Sequence, residues 1–249
     1  MLKSTDIIYS DENYVIINKP AGLLVHPSYL DKHESQSAMK QTRDLLGKWV
    51  YPVHRLDRPT SGVLVFGLSS EAAAALVKEF TERKVKKQYV ALVRGYTEDK
   101  GSINHPLKEL WDKMTDRSSS RDKPAQEAVT DYITLERIEL PFAVRPHPTS
   151  RYSLVSAAPQ TGRQRQIRRH FKSIFHPIIG DAKHGDGHHN RMLQEKYGLN
   201  RLMLHSNRIS FNDPFSNKLI TAEASWPEDF SSLLARMGFA MQSKMLTEM

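Results

Sequence analysis

The chain of 249 residues contains no cysteine. That excludes a disulfide framework, a thiolate nucleophile and any cysteine-ligated metal. No apolar run approaches the ~18 residues that a membrane-spanning helix needs. The opening Met1-Leu2-Lys3-Ser4-Thr5-Asp6 has no signal-peptide core. These absences favour the cytoplasm and give no membrane partner. Neither a P-loop nor a dinucleotide fingerprint occurs, so nothing points to ATP or NAD. A nucleophile elbow and a Ser-His-Asp order are also missing, which speaks against a hydrolase.

Acidic residues are scarce in one stretch. The chain carries 36 Lys and Arg against 28 Asp and Glu, a net charge of +8. Residues 1–142 hold 21 against 20, residues 143–208 hold 12 against 3, and residues 209–249 hold 3 against 5. The whole excess lies in the middle segment. A solvated basic face would account for it, but so lopsided a segment suits a polyanion such as a phosphate backbone. The length fits one large domain or two small ones.

The elements follow from periodicity. Ile7 to Tyr9 and Tyr14 to Asn18 read as short strands, and Leu23 to His26 as another. Ser37 to Leu46 has helical character. Val63 to Gly67 is a strand by its continuous apolar run. Ser69 and Ser70 suit the N-cap of an alanine-rich helix from Glu71 to Arg83. Lys87 to Arg94 reads as a strand ending at Gly95. Residues 98–126 are polar and predict a long surface loop around Ser118-Ser119-Ser120. Strands follow at Ala128 to Leu140 and Arg151 to Ala157. Thr161 is placed to cap a helix from Arg163 to Phe175. Arg201 to Phe211 and Leu219 to Ala224 are late strands, and Glu228 to Met237 a last helix. Strands outnumber helices without alternating strictly with them. That predicts an α+β fold built on a largely antiparallel sheet.

The most informative stretch is His54-Arg55-Leu56-Asp57-Arg58-Pro59-Thr60-Ser61-Gly62, followed at once by Val63-Leu64-Val65-Phe66. One carboxylate stands between two arginines on a loop that proline and glycine keep from regular pairing. Such a residue needs partners. The loop is either an Arg–Asp tie to the sheet or a place for chemistry. In the helix after Thr161, Ile167, Phe171, Ile174 and Phe175 share one face, which should pack on the sheet. Arg165, Arg169 and Lys172 fall opposite, and Arg168 lies at the margin, where it can turn inward. His184-Gly185-Asp186-Gly187-His188-His189-Asn190 holds three histidines and an aspartate, but its spacing matches no familiar zinc pattern and its glycines suggest a flexible, weakly basic loop. No metal site is expected there.

Taken together, these motifs resemble the RluA family of pseudouridine synthases. His54 to Val65 looks like that family's central motif, which carries its catalytic aspartate. Asn18-Lys19-Pro20-Ala21-Gly22-Leu23-Leu24-Val25-His26-Pro27 is similar to its first motif. Lys87-Gln88-Tyr89-Val90-Ala91 resembles the strand with its active-site tyrosine. Pro159 to His170 resembles its third motif, with the arginine that pairs the aspartate. His176-Pro177-Ile178-Ile179-Gly180-Asp181 and Leu202-Met203-Leu204-His205-Ser206 complete six motifs in the family's order. One departure is Arg165, where many members have histidine.

The resemblance implies a pseudouridine synthase fold over residues 1–249 as a single catalytic domain. Its sheet would be a mostly antiparallel mixed sheet with flanking helices and loops, and a catalytic cleft would run across it. It implies an isomerase that needs no cofactor and no metal. Asp57 would be the essential carboxylate, with Arg168 as its charge partner and Tyr89 stacked on the uracil. Ile167 and Leu204 would be apolar walls. Arg55 would contact the target's backbone or fill the gap left by a flipped base, and His54 and Arg58 belong to the same RNA-binding set. Arg163, Arg165, Arg169 and Lys172 would meet phosphates. The loop after His184, and the lack of an N-terminal S4-type domain, resemble members that act on tRNA at uridine 65. A monomer binding tRNA with its target uridine flipped out, and no protein partner, is the expectation. The alternatives are a synthase acting on ribosomal RNA, an RNA-binding or RNA-folding module in which catalysis is secondary, and a metal-dependent hydrolase using the histidines.

Overall fold

The computed structural model describes residues 1–26, 36–109, 124–144 and 146–240. Among the described residues ten strands occur: β1 (Ile7–Ser10), β2 (Tyr14–Lys19), β3 (Tyr51–Pro52), β4 (Ser61–Gly67), β5 (Lys86–Arg94), β6 (Lys100–Asn104), β7 (Val129–Leu140), β8 (Ser150–Pro159), β9 (Leu204–Asn212) and β10 (Leu219–Glu223). The helices are α1 (Ala38–Leu46), α2 (Ser70–Thr81), α3 (Gln166–Ser173), α4 (Gly187–Tyr197) and α5 (Glu228–Met237). This is the expected α+β fold. The chain divides into two compact units, one of residues 1–87, 107–126 and 206–225, the other of 88–106, 127–205 and 226 onward.

In the first unit the strands run in the order β1-β2-β4-β9-β10, with β3 also on β4. β2 lies antiparallel to β4, from Tyr14 opposite Gly67 to Lys19 opposite Gly62. β10 pairs antiparallel with β9, Leu219 opposite Asn212. All seven residues of β4 are buried, which is why its sequence is a continuous apolar run rather than an alternation. One core gathers Tyr14, Ile16, Val63 and Val65 with Leu76 of α2 and Phe211 of β9. Full burial of each such side chain contributes about 2 kcal/mol. α2 starts where Ser69 accepts the Ala72 amide at 3.0 Å, satisfying a donor the helix cannot.

The second unit is a four-stranded antiparallel sheet in the order β5-β8-β7-β6, so that β5 lies beside β8 rather than beside the next strand in sequence. Tyr89 stands opposite Ala157 across β5 and β8. Val90, Leu92, Tyr152 and Leu154 form a core with Leu193 of α4 and Phe230 of α5. α4 lies against α5.

Five expectations need correction. Residues 23–26 are not a strand. Leu24 makes one isolated bridge to Ser37, and the carbonyls of Leu24 and Val25 accept the first amides of α1 at 2.7 and 3.0 Å. The polar stretch after residue 98 contains β6, whose single apolar residue, Ile103, left no alternation to read. Its Ser118-Ser119-Ser120 segment falls outside the described residues. α3 begins at Gln166, after Arg165 with φ 55°, and Thr161 does not cap it. Phe175 lies beyond its end and is 80% exposed, not packed on the sheet. β9 begins at Leu204 rather than Arg201. Finally, the histidine-rich segment is not a flexible loop but the entry of α4. Asp186 Oδ1 accepts the amides of His188 (2.9 Å) and His189 (3.2 Å), and Gly198, at φ 69°, closes the helix. No helix among the described residues is long and apolar enough to cross a membrane.

Candidate active site

The first unit holds Asp57 on the loop that enters β4. The Asp57 carbonyl accepts the Thr60 amide at 3.0 Å, closing a turn over Arg58 and Pro59. The loop is tied to the segment after β2 by three contacts. The Arg58 carbonyl accepts the Gly22 amide at 2.8 Å, Arg58 Nε donates to the Gly22 carbonyl at 2.9 Å, and Lys19 Nζ donates to the Arg58 carbonyl at 3.2 Å. Lys19 is fully buried, and its ammonium also donates to the carbonyls of Pro20 (2.9 Å) and Leu23 (2.8 Å). A buried cation is tolerable only with such donations satisfied. The two motifs read separately in the sequence are thus one piece of structure. The sequence signal for this use of Lys19 is its place immediately before the Pro20-Ala21-Gly22 break.

Gly62 fixes how closely β4 begins against β9. It adopts φ 112°, and a Cβ there would lie 2.1 Å from the Ser206 carbonyl oxygen. Only glycine accepts both conditions. Asp57 is partly buried, while Arg55 and Arg58 are exposed. His54 does a different job from its neighbours. Its Nε2 accepts the Val65 amide at 3.1 Å, so the proton sits on Nδ1, and its ring stacks on Phe80 with centroids 4.9 Å apart. Burial, then the charge of Lys87, push its pKa down to about 3. Burial pushes the Lys87 ammonium down to about 8.

The second unit holds the other expected residues. Tyr89 is buried in β5 with 9% exposure, and Ile167 and Leu204 are buried apolar residues. Gln166 organises the entry to α3. Its Oε1 accepts Thr161 Oγ1 (2.7 Å) and the Arg163 amide (2.9 Å), and its Nε2 donates to the Val129 carbonyl (2.9 Å) and Thr130 Oγ1 (3.0 Å). His170, fully buried one turn on, contacts Thr130 Oγ1 (2.9 Å) and the His105 carbonyl (3.1 Å). The helix is therefore fastened to β7 through its polar inner face.

That fastening positions Arg168, which turns inward as its margin place predicted. Its Nε and Nη2 grip Asp181 at 2.6 and 2.8 Å, a bidentate pair with side chains 6% and 0% exposed. Asp181 Oδ1 also accepts the amides of Lys183 and His184, each at 2.9 Å. Burial alone would raise the Asp181 pKa. The Arg168 guanidinium and those two amides outweigh it and hold the carboxyl below its ordinary value. Asp181 ends the motif His176 to Asp181, and a lone carboxylate in an apolar motif is the sequence signal for this buried partner. Arg163 Nε donates to the Glu127 carbonyl at 3.0 Å. Lys172 is exposed, and Arg165 and Arg169 are partly so. Arg169's pKa is pushed down first by burial and then by the like charge of Arg165, so these cations are crowded and would gain from an anion. In α4, His189 Nδ1 lies 2.8 Å from Tyr152 Oη while His188 is exposed. Among the described residues no group of three or more His, Cys, Asp or Glu is arranged to hold a metal ion.

Each unit is a largely antiparallel sheet with flanking helices, an α+β build, the first carrying the aspartate turn before β4 and the second the buried tyrosine of β5 and the inward arginine of α3. The family described as RNA pseudouridylate synthase matches residues 13–173, and the chain belongs to it. A tRNA pseudouridine synthase C from Pasteurella multocida is 49% identical over 92% of this chain and 94% of its own length. Another so named, from Haemophilus ducreyi, is 49% identical over 94% and 96%. Human RNA Pseudouridylate Synthase Domain Containing 4 superposes with a TM-score of 0.70 at 25% identity, over 94% of this chain and 93% of that one.

Proposed function

We propose that this chain isomerises uridine to pseudouridine in tRNA, at uridine 65, with residues 1–249 acting as one catalytic domain. The carrying observation is the near-full-length identity, close to one residue in two, with proteins named tRNA pseudouridine synthase C. The resemblance of the segment His184 to Arg191, the entry of α4, supports the position. The reaction breaks the N1–C1′ bond of uridine, joins C5 to C1′, removes the C5 proton and leaves a proton on N1, so atoms and electrons are conserved and no cofactor is called for.

In this reading Asp57 is the essential carboxylate, acting on the ribose or the uracil. Arg168 is its charge partner. A guanidinium gripped along one edge by Asp181 keeps its plane and aims its remaining edge, the orientation a planar donor needs. Tyr89 stacks on the uracil. Ile167 and Leu204 exclude water while the detached base turns. The uridine leaves its stack to react, and Arg55 contacts the backbone or fills the vacated space. Arg163, Arg165, Arg169 and Lys172 meet phosphates, giving salt-dependent affinity. The enzyme works as a cytoplasmic monomer.

The test is Asp57→Ala with pseudouridine mapping of total tRNA and ribosomal RNA. The variant should lose pseudouridine formation while keeping tRNA affinity. Retained turnover would overturn the assignment of Asp57. Loss of the mark at a ribosomal position with tRNA unaffected, in cells lacking the gene, would overturn the tRNA reading.

A further inference from the structure

Just past α3 the chain holds an unfavourable residue. Phe175 lies two positions beyond Ser173, the last residue of the helix, and adopts φ 63°. A bulky side chain in the left-handed region is a genuine outlier. The same residue is 80% exposed. A single exposed phenylalanine is ordinary. Strain and exposure at one residue cost stability and return no packing.

The backbone is nevertheless held from both sides. The Phe175 amide donates to the Lys172 carbonyl at 3.1 Å, and its own carbonyl accepts Arg94 Nη2 at 3.0 Å. Arg94 is anchored in turn by an ion pair with Asp186, and its carbonyl lies 2.8 Å from His176 Nδ1. The ring is thus presented to solvent on a braced support. Strain that surrounding structure enforces points to a use for it.

The neighbours say what the use is. Exposed Lys172 stands one turn back, and Arg169 and Arg165 continue the stripe toward the start of α3. A row of cations ending in an exposed flat ring is how proteins hold unpaired nucleic acid: the cations follow the phosphates and the ring takes the face of a base. We propose that Phe175 is a stacking platform for an unpaired base of the RNA substrate, with Lys172 and Arg169 on the flanking phosphates. This rests on the reading of the chain as a tRNA-modifying enzyme. It adds a contact that none of the residues assigned to the reacting uridine supplies.

The deciding variant is Phe175→Gly, which removes the ring and relieves the backbone together. Its unfolding temperature should hold or rise, while its affinity for substrate tRNA falls about tenfold. Phe175→Tyr keeps a ring and should bind within about twofold of the unaltered chain. The dependence of affinity on salt should keep its slope in Phe175→Gly and become shallower in Lys172→Ala, which alone loses a phosphate contact. Unchanged affinity in Phe175→Gly overturns the proposal. So does a loss shared by Phe175→Tyr, or one accompanied by a lower unfolding temperature, since that is the signature of a packing residue. Failure of the unaltered chain to bind tRNA would overturn the substrate reading instead. A ribosomal RNA fragment then replaces tRNA in the same titration, with the same outcomes deciding the platform.

Discussion

Asp181→Asn should cost this protein a large part of its stability. The substitution keeps the shape of the side chain and the acceptor that serves the amides of Lys183 and His184. It removes the negative charge facing Arg168, whose Nε and Nη2 sit 2.6 and 2.8 Å from the carboxylate oxygens. With the two side chains 6% and 0% exposed, water cannot replace the lost partner. At an effective dielectric constant of about 20, two unit charges some 4 Å apart attract by about 4 kcal/mol. Breaking a buried pair from one side typically costs about 3–5 kcal/mol. Because asparagine retains one acceptor, about 3 kcal/mol is expected, or roughly 6–12 °C in unfolding temperature for a chain of this size. Denaturant unfolding at neutral pH measures it. Asp181→Asn combined with Arg168→Met should recover part of the loss, since the uncompensated charge is then gone. A cost below about 1 kcal/mol, the range of exposed pairs, or purely additive effects in the double variant, would refute the account of this pair. The pH dependence has a definite sign. Asp181's pKa is lowered in the fold, so the stabilisation is complete above the unfolded carboxyl value of about 3.9 and disappears as pH falls through the folded one. Asp181→Asn should flatten that acid limb.

Two further predictions concern the first unit. His54 in the unfolded chain takes up a proton below about pH 6.5, whereas in the fold it resists one down to about 3. The unfolded state therefore binds more protons between those values, and stability should fall with acidity, by about 2 kcal/mol at pH 5 from this residue alone; His54→Gln should remove that component in denaturant titrations at pH 7 and pH 5. Gly62→Ala forces a Cβ to within 2.1 Å of the Ser206 carbonyl at φ 112° and should cost about 3 kcal/mol or more. Gly47→Ala, at φ 66° with nothing within 4 Å, should cost only about 1 kcal/mol; equal losses of unfolding temperature in the two would discredit the close-approach argument.

The contrast between what the sequence disclosed and what it hid follows from range. α2 and β4 were legible because their causes are local: a serine cap, a run of alanines, a continuous apolar stretch. The start of α3 was misplaced because its cause is distant. Arg165 takes φ 55°, and the turn before it is pinned by Gln166 reaching back to Thr161 and across to Val129 and Thr130. α4 was hidden by composition, since glycines and histidines resemble a loop until Asp186 is seen to bind the amides of His188 and His189.

The same division runs through the candidate site. The residues expected to carry chemistry stand out in the sequence because their motifs are contiguous, as in His54 to Gly62. Their supports do not, because each support joins segments remote in the chain. Lys19 reaches Arg58 across 39 residues and Asp181 grips Arg168 from 13 residues away. Neither contact has any periodicity or spacing to betray it. A motif scan therefore finds candidate chemical groups and misses the buried charges that hold their segments in place. Both supports are charged groups buried inside the fold, where an unpaired charge would be prohibitive, so each must be joined to the residue it serves. That requirement makes a buried charge within a recognised motif, rather than the motif's exposed arginines, the place to look for a residue that holds the motif's geometry.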